Sequence, residues 1–415
     1  MTFFLGTVEL AVFLFMAYNA LYNPSKIVDV AIYNFGCEIF NAKFFGSVPW
    51  INMGISLYSN DFFVLLLILI MLLRIKTEIW RNAANICLLI FTIMSLSSCI
   101  RGLMQIGATP FFFGDLRKFL YFAVAIWFFS DTSIEYNWQK IEKKLDHFFF
   151  ILSLYLVVLL CLHFAGIRIG YYTDDRPLVS DYAIIYAAYI GFRWYRELLV
   201  QQGGKIKLST LLMSLILVLN RYNTTWIALL GFNLVLFVFM AFCNRKVFSN
   251  FKFWLEVITI IGCVAIIMTV FRDGVILGEL SSNVDKFDLS GDNSFTSRIE
   301  VWTAIVATFV GINAIIGFPF GNGYNVMYRG AIWQFMPHNG YIELAGRTGY
   351  IGLIAIIILI GWIIVKALRR KKVLPVCIVM LMLIYWIAYS VTLEQGILIG
   401  VCLMYLQKGA ATEYA

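Results

Sequence analysis

Long apolar runs, separated by short polar stretches, recur along the whole chain. Many are about twenty residues long, which is the length that an α-helix needs to cross the hydrocarbon core of a bilayer. They predict about twelve membrane-spanning helices, and the predicted fold class is an all-α polytopic integral membrane protein. These spans are placed at residues 3–22, 51–73, 83–100, 118–136, 147–166, 179–199, 208–220, 225–242, 251–271, 340–367, 373–391 and 393–406.

The composition agrees with a bilayer as the main solvent. Of the 415 residues, 61% are hydrophobic and 13% are charged, whereas soluble domains carry about 25% charged residues. The net charge of +8 fits basic cytoplasmic loops, and no basic stripe indicates a nucleic-acid partner. The eight cysteines are scattered without a C-x-x-C pair, so they predict neither a metal site nor a disulfide framework. The first apolar run lacks a basic leader and is interpreted as a span, not as a cleavable signal peptide.

Basic loops alternate along the chain and set its predicted orientation, because loops rich in Lys and Arg stay in the cytoplasm. With these loops inside, the span count is even and both termini are expected in the cytoplasm. The chain then divides into spans 1 to 9 at residues 1–271, a long periplasmic loop at 272–339 and spans 10 to 12 at 340–415. The basic loops lie at residues 74–81, 140–144, 193–207, 245–252 and 366–372.

Residues 299–316 are apolar enough to cross the membrane, yet a crossing there would break the even count. We therefore predict an interfacial helix within the long loop, lying on or dipping into the bilayer. The alternative is that this segment does span and that one of the short predicted spans does not.

The most informative tract runs from Arg298 to Gly352. It reads R-I-E-V-W at 298–302, G-F-P-F-G-N-G at 317–323 and P-H-N-G-Y-I-E-L-A-G-R-T-G-Y-I-G at 337–352. His338 is the candidate catalytic base, since an imidazole can accept a proton from a sugar hydroxyl near neutral pH. Asn339 is expected to orient the ring or bind substrate, and Glu343, one helical turn later, to face the same cavity. The alternative is an interfacial histidine that merely precedes a helix.

Four arginines near the predicted periplasmic ends of helices are candidate ligands for a diphosphate. They are Arg221 in L-N-R-Y-N-T-T-W, Arg298, Arg117 in G-D-L-R-K and Arg101 in S-C-I-R-G. Arginine binds phosphate bidentately and stays charged in partly dry sites. Each arginine alone also fits a structural, snorkelling role, so the prediction depends on several of them converging on one pocket.

Two adjacent carboxylates, Asp174 and Asp175 in Y-Y-T-D-D-R-P, are a weak signal for a metal site. Adjacent side chains need not point the same way, so we interpret the pair as a solvated loop or an acceptor-sugar contact. No metal site is predicted.

The tract from Arg298 to Gly352, in its order and membrane context, resembles the signature of the O-antigen ligase and polymerase superfamily of bacterial glycosyltransferases. The segment around Arg221 is similar to the arginine-bearing segment of that family, although Asn220 stands where a serine is usual. The resemblance implies a metal-independent glycosyltransferase of the membrane-embedded C type that needs no cofactor. Arg221 and His338 would be catalytic, and Arg298, Arg117 and Arg101, with Asn339 and Glu343, would bind the diphosphate or glycan.

The resemblance further implies an undecaprenyl-diphosphate-linked glycan as donor and a location in the bacterial inner membrane, with the site facing the periplasm. A polymerase would use a second lipid-linked repeat unit as acceptor, while a ligase would use lipid A-core. Heavy use of Phe, Ile, Asn, Lys and Tyr indicates AT-rich coding DNA, as in O-antigen gene clusters, and favours the polymerase. Membrane lipids are expected partners, and a chain-length regulator protein is a further one. A lipid-linked sugar flippase or other transporter is the rival from another class.

Overall fold

A computed structural model shows an all-α membrane protein with two small β-hairpins. It describes residues 2–45, 48–52, 56–74, 83–165, 167, 178, 180–200, 207–219, 223–243, 294–328, 331–335 and 337–407. Candidate residues Asp174, Asp175 and Arg221, and the predicted span at 251–271, lie outside these ranges. The all-α membrane fold class is confirmed in its broad form.

Fourteen helices occur among the described residues. They are α1 Thr2–Tyr22, α2 Ile27–Phe45, α3 Ser59–Leu73, α4 Ala83–Gln105, α5 Pro110–Phe129, α6 Trp138–Phe164, α7 Ser180–Tyr195, α8 Leu208–Leu219, α9 Asn223–Cys243, α10 Ser294–Ala307, α11 Gly311–Ile316, α12 Gly340–Arg369, α13 Val373–Tyr385 and α14 Leu393–Gln407. The hairpins pair β1 Ile51–Asn52 with β2 Ser56–Leu57, and β3 Tyr324–Tyr328 with β4 Ala331–Phe335. A π-helical turn, Arg196–Val200, continues α7.

Among the described residues, five helices have the length and hydropathy to cross a membrane by themselves. They are Phe4–Tyr22, Ala83–Gln105, Trp138–Leu162, Thr224–Phe242 and Gly340–Arg369. Large apolar side chains on their surfaces are exposed, as expected of helices that face lipid. The shorter apolar helices α3, α8, α13 and α14 complete one continuous core, in which α5 packs along α14, α4 along α12 and α9 along α13.

Two predicted span boundaries are displaced for local reasons. The span expected at 118–136 is α5, which begins earlier, at Pro110. Thr109 caps it by accepting a hydrogen bond from the Phe112 amide, and proline is favourable in the first helical turn. The span expected at 51–73 is a hairpin followed by α3, which starts where the Asp61 carboxylate accepts a hydrogen bond from the Tyr58 amide at 2.8 Å.

Helix α2 was not predicted, because polar residues interrupt its apolar pattern. Two of these residues, Asn34 and Glu38, have a hydrogen-bond partner on α3. Asn34 donates to the Asn60 side chain at 2.6 Å, and the Ser59 hydroxyl donates to Glu38. A buried polar group with a partner costs little, so the segment folds as a helix although its hydropathy is modest.

Because α2 lies between α1 and α3 in the chain, α1 runs in the same direction as α3. The Trp50 indole donates to Glu9 at 2.9 Å, and Gly6 lies against Pro49. Helix α1 therefore begins at the end of the bundle where α3 and α5 begin, which we call the site end. Helix α14 runs alongside α5 from the site end to the opposite end. The side of the membrane on which each terminus lies stays a prediction.

The apolar segment 299–316 is not a single helix. It folds as α10 and α11, with a break at Thr308–Val310, where Val310 is extended and Gly311 has a φ of 60°. At 1.5 Å per residue the two helices measure roughly 21 and 9 Å, so neither crosses about 30 Å of hydrocarbon alone. Helix α11 packs on α12 and α4, whereas Val310, Ile312 and Ile315 are exposed.

Helix α12 is divided at Gly349, whose φ of 69° is not helical. Before this kink, Arg347 pairs with Asp115 of α5, and Glu343 pairs with Lys118, one turn further along α5. The first segment of α12 therefore runs against the direction of α5. It starts inside the bundle and reaches the site end only at the kink, after which the remaining twenty residues, about 30 Å of helix, run to the opposite end.

The short helices α13 and α14 determine how deep in the bundle α12 begins. The Gly340 amide donates to the Trp386 carbonyl at 2.7 Å, just after the end of α13, and the Trp386 ring contacts Phe122 on the fourth turn of α5. Helices α13 and α14 have 13 and 15 residues, roughly 20 and 22 Å. The turn between them therefore lies deeper in the bundle than the first turns of α5.

The kink at Gly349 yields a test of this arrangement. We expect Gly349→Ala to lower the thermal unfolding midpoint of the purified protein. A side chain at this φ costs about 1–3 kcal/mol of backbone strain, and its Cβ would also overlap the Ile315 carbonyl oxygen. The matched control is Gly361→Ala in the same helix, where no atom lies within 4 Å of the added Cβ and alanine is the better helix former. Equal midpoints for the two variants would contradict the kink.

Candidate functional site

His338 lies immediately before α12, and its backbone is fixed on both sides. The Pro337 carbonyl accepts a hydrogen bond from the Trp302 indole of α10 at 2.6 Å. Asn339 caps α12 by accepting from the Tyr341 and Ile342 amides at 3.0 and 3.1 Å. His338 itself has a φ of 46°, in the left-handed region that non-glycine residues rarely adopt. Such backbone strain persists only where the surroundings impose it, and it concentrates at functional sites.

Asn339 was predicted to orient the imidazole or to bind substrate. Its carbonyl oxygen is engaged by the helix cap, and its amide nitrogen donates to the Ile387 carbonyl at 3.0 Å. Its observed contacts thus tie the start of α12 to the turn after α13. The substrate-binding role of Asn339 stays a prediction.

Charged groups from three helices surround His338. Glu343 comes from the first turn of α12, Lys118 from α5 and Arg298 from α10, and all three influence the imidazole electrostatically. Burial is the main effect and lowers the pKa of His338. Glu343 opposes this shift, whereas Lys118 and Arg298 reinforce it. The imidazole is open to solvent on one side, and with a lowered pKa it is neutral at pH 7, as a proton acceptor must be.

Glu343, Lys118 and Ser390 form a closed triangle next to His338. The Lys118 ammonium lies 3.4 Å from both Glu343 carboxylate oxygens and donates to the Ser390 hydroxyl oxygen at 3.0 Å. The Ser390 hydroxyl donates in turn to Glu343. Glu343 is buried, whereas 30% of the Lys118 side chain is exposed. The structure thus brings Glu343 close enough to His338 to influence it electrostatically, and the substrate-binding role of Glu343 stays a prediction.

A second ion pair fixes the glycine-rich loop 317–323 to α12. Arg347 pairs with Asp115 at 3.0 Å, donates to the Pro319 carbonyl at 3.1 Å and lies over the Tyr324 ring at 4.7 Å. The Asp115 carboxylate also accepts from the Gly321 amide at 2.7 Å. Both charges are buried and each has several partners, so the pair satisfies the conditions under which buried ion pairs are tolerated.

Arg101, on α4, binds the start of the same loop. Its guanidinium donates to the carbonyls of Ile316 and Gly317 at 3.0 and 2.9 Å and to the Ser98 hydroxyl at 2.9 Å. The role predicted for Arg101, binding a diphosphate, stays a prediction. The contacts it makes hold the end of α11 against α4.

Arg117 is bound by protein groups at the start of α3. It donates to both carboxylate oxygens of Asp61 at 2.8 and 2.7 Å and to the Ser56 carbonyl at 2.7 Å, and its guanidinium lies over the Tyr58 ring. Arg117 therefore faces α3, whereas its neighbour Lys118 faces α12. A diphosphate-binding role for Arg117 stays a prediction and would require this bidentate pair to open.

The sequence did not identify Lys118, Ser390, Asp115 or Arg347 as site residues. The spacing of charged residues along α5 and α12 was a signal that could have been used. Asp115 and Lys118 are three apart on α5, and Glu343 and Arg347 are four apart on α12, so each pair lies on one face of its helix. Opposite charges at helical spacing in two apolar helices indicate that the helices pair, because charges in membrane segments are expensive unless matched.

Potential metal ligands do not gather at this site. Among the residues that the structure describes, no group of three or more His, Cys, Asp or Glu side chains is arranged to hold a metal ion. The site combines the His338 imidazole with a buried carboxylate and nearby cations, which are groups that can take part in proton transfer.

The sequence model of a known family matches the part of the chain that contains this site. No curated protein matches the chain. The sequence model of a family described as O-antigen ligase matches residues 208–357. This range contains α10, α11, the β3–β4 hairpin, His338 and the first segment of α12. The match confirms that this chain, through residues 208–357, resembles the O-antigen ligase and polymerase superfamily.

Proposed function

We propose that this protein is an O-antigen polymerase. It joins undecaprenyl-diphosphate-linked oligosaccharide repeat units at the periplasmic face of the bacterial inner membrane, by inverting glycosyl transfer. The observation that carries the proposal is the position of His338. Within the O-antigen ligase match, His338 is an exposed residue with a strained backbone, and Lys118, Glu343 and Arg298 influence its imidazole.

His338 acts as the base. The acceptor sugar hydroxyl gives its proton to the imidazole while its oxygen bonds to the anomeric carbon of the donor glycan. The bond from that carbon to the diphosphate oxygen breaks, and its electron pair leaves with undecaprenyl diphosphate. Attack from the face opposite the leaving group inverts the anomeric centre. A pKa below the ordinary histidine value suits this role, because the imidazole is deprotonated before the acceptor arrives.

Cations stabilise the charge that develops on the departing diphosphate. Arg298, on the exposed side of α10, is close enough to His338 to affect its pKa and is assigned to this task with Arg221. Arg221 falls inside the matched family range. The lipid-linked donor enters sideways from the bilayer, with its tail between helices.

An O-antigen ligase is the second candidate, and the description of the matching family favours it. Ligase and polymerase need the same donor site and the same base, and they differ in the acceptor. The polymerase is preferred because the chain is rich in Phe, Ile, Asn, Lys and Tyr. This composition indicates AT-rich coding DNA, as in O-antigen gene clusters.

Substitution of the base tests the proposal. Purified protein with undecaprenyl-diphosphate-linked repeat units should yield a ladder of longer glycans, and His338→Ala should reduce its rate by about 10²–10⁴-fold, the usual contribution of a general base. The measurement is product size against time. The matched control is His147→Ala, because His147 is exposed on α6 and its ring nitrogen contacts the Lys143 carbonyl one turn earlier at 2.8 Å; its ladder should be normal.

Other outcomes of this assay separate the rival functions. Transfer that begins only when lipid A-core is added identifies the ligase. No transfer to either acceptor by well-folded wild-type protein contradicts the transferase and restores the transporter hypothesis.

The pH dependence of transfer tests the charges around the base. With His338 as base, kcat/KM should fall as the pH drops through the lowered pKa of His338, with a midpoint below about 6.5. Glu343 raises this pKa, so Glu343→Gln should move the midpoint to lower pH. Arg298→Gln should move it to higher pH, because Arg298 lowers the pKa. Midpoints that stay at the wild-type pH in both variants would exclude His338 as the titrating base.

A further inference from the structure

We propose that Lys118 is a diphosphate-binding residue, which Glu343 and Ser390 hold in place until the donor binds. The inference rests on the proposed transferase function and adds a cation that neither the family match nor the sequence motifs identify. Its basis is the difference between Lys118 and the other cations of the site end.

Three neighbouring arginines are engaged by protein acceptors. Arg117 forms a bidentate pair with Asp61 at 2.8 and 2.7 Å, and Arg347 pairs with Asp115 at 3.0 Å. Arg101 is bound to two backbone carbonyls. These are short contacts, which an incoming phosphate would have to replace.

Lys118 is held more loosely. Its ammonium lies 3.4 Å from the Glu343 oxygens, beyond the roughly 2.7–2.9 Å of a strong charge-assisted hydrogen bond. About a third of the Lys118 side chain is exposed, compared with 5% for Glu343. A lysine ammonium has three donor hydrogens on a flexible stem, so it can turn toward a phosphate at the open side without moving α5.

Glu343 remains satisfied if Lys118 turns away, because the Ser390 hydroxyl still donates to it. The carboxylate and His338 are one turn apart at the start of the same helix, and they stay together when Lys118 moves. Lys118 and Arg298 are the cations that oppose Glu343 at the imidazole. Donor binding therefore draws one of them onto phosphate and leaves the carboxylate to make His338 more basic. Loading of the donor and activation of the base become coupled.

The experiment measures binding of undecaprenyl diphosphate, without a glycan, to the purified full chain in nanodiscs. Lys118→Met should weaken binding by roughly 10- to 100-fold, the equivalent of one hydrogen bond between charged groups. Lys118→Arg should retain most of the affinity. The matched control is Lys144→Met, because Lys144 also pairs with a carboxylate, that of Asp29 at 2.5 Å, but lies outside the site; its affinity should equal that of the wild type.

A second variant covers the risk that Lys118→Met misfolds by leaving Glu343 without its cation. Lys118→Met with Glu343→Gln removes both charges and keeps an acceptor for Ser390, and it should bind undecaprenyl diphosphate as weakly as the single variant. Wild-type affinity in a folded Lys118→Met or double variant would overturn the inference and leave the transferase proposal intact. Failure of the wild-type protein to bind undecaprenyl diphosphate would overturn both.

Discussion

The geometry of the site end depends on two ion pairs between α5 and α12. Asp115 with Arg347, and Lys118 with Glu343, set the direction of the first segment of α12 and the depth at which His338 begins it. An unmatched charge in an apolar bundle is costly, whereas a matched and hydrogen-bonded pair is tolerated. The two pairs differ in strength. The tight Asp115 pair also holds the glycine-rich loop, while the loose Lys118 pair remains open to solvent.

Helices α13 and α14 are too short to match the bilayer. They fall about a quarter to a third short of a typical hydrocarbon thickness, and the turn between them carries Ser390 and lies beside the start of α12. Lys118 and Glu343 meet this turn within the bundle, and 30% of the Lys118 side chain stays exposed there. Helices α4 and α12 carry exposed apolar side chains, as expected of helices that face lipid.

Hydropathy alone located most helices, because a membrane-spanning segment must satisfy its backbone internally. Hydropathy did not predict a helix whose polar residues are hydrogen-bonded to another helix. Helix α2 carries Asn34 and Glu38 with partners on α3, and these contacts are not readable from its own sequence. The motif around His338 predicted the base and Glu343 together. It did not distinguish Arg117, which faces Asp61, from Lys118, which faces Glu343, because neighbouring residues on a helix point about 100° apart.

The backbone at the kink of α12 is held by contacts between glycine residues, and these contacts do not involve the charged side chains of the site. Gly317 and Gly349 both have positive φ, and each lies so close to the opposite backbone that no Cβ fits between them. This contact is made by main chain on main chain and contains no titratable group. The backbone frame that positions His338, Glu343 and Lys118 is therefore held by contacts that do not depend on the charges of these side chains.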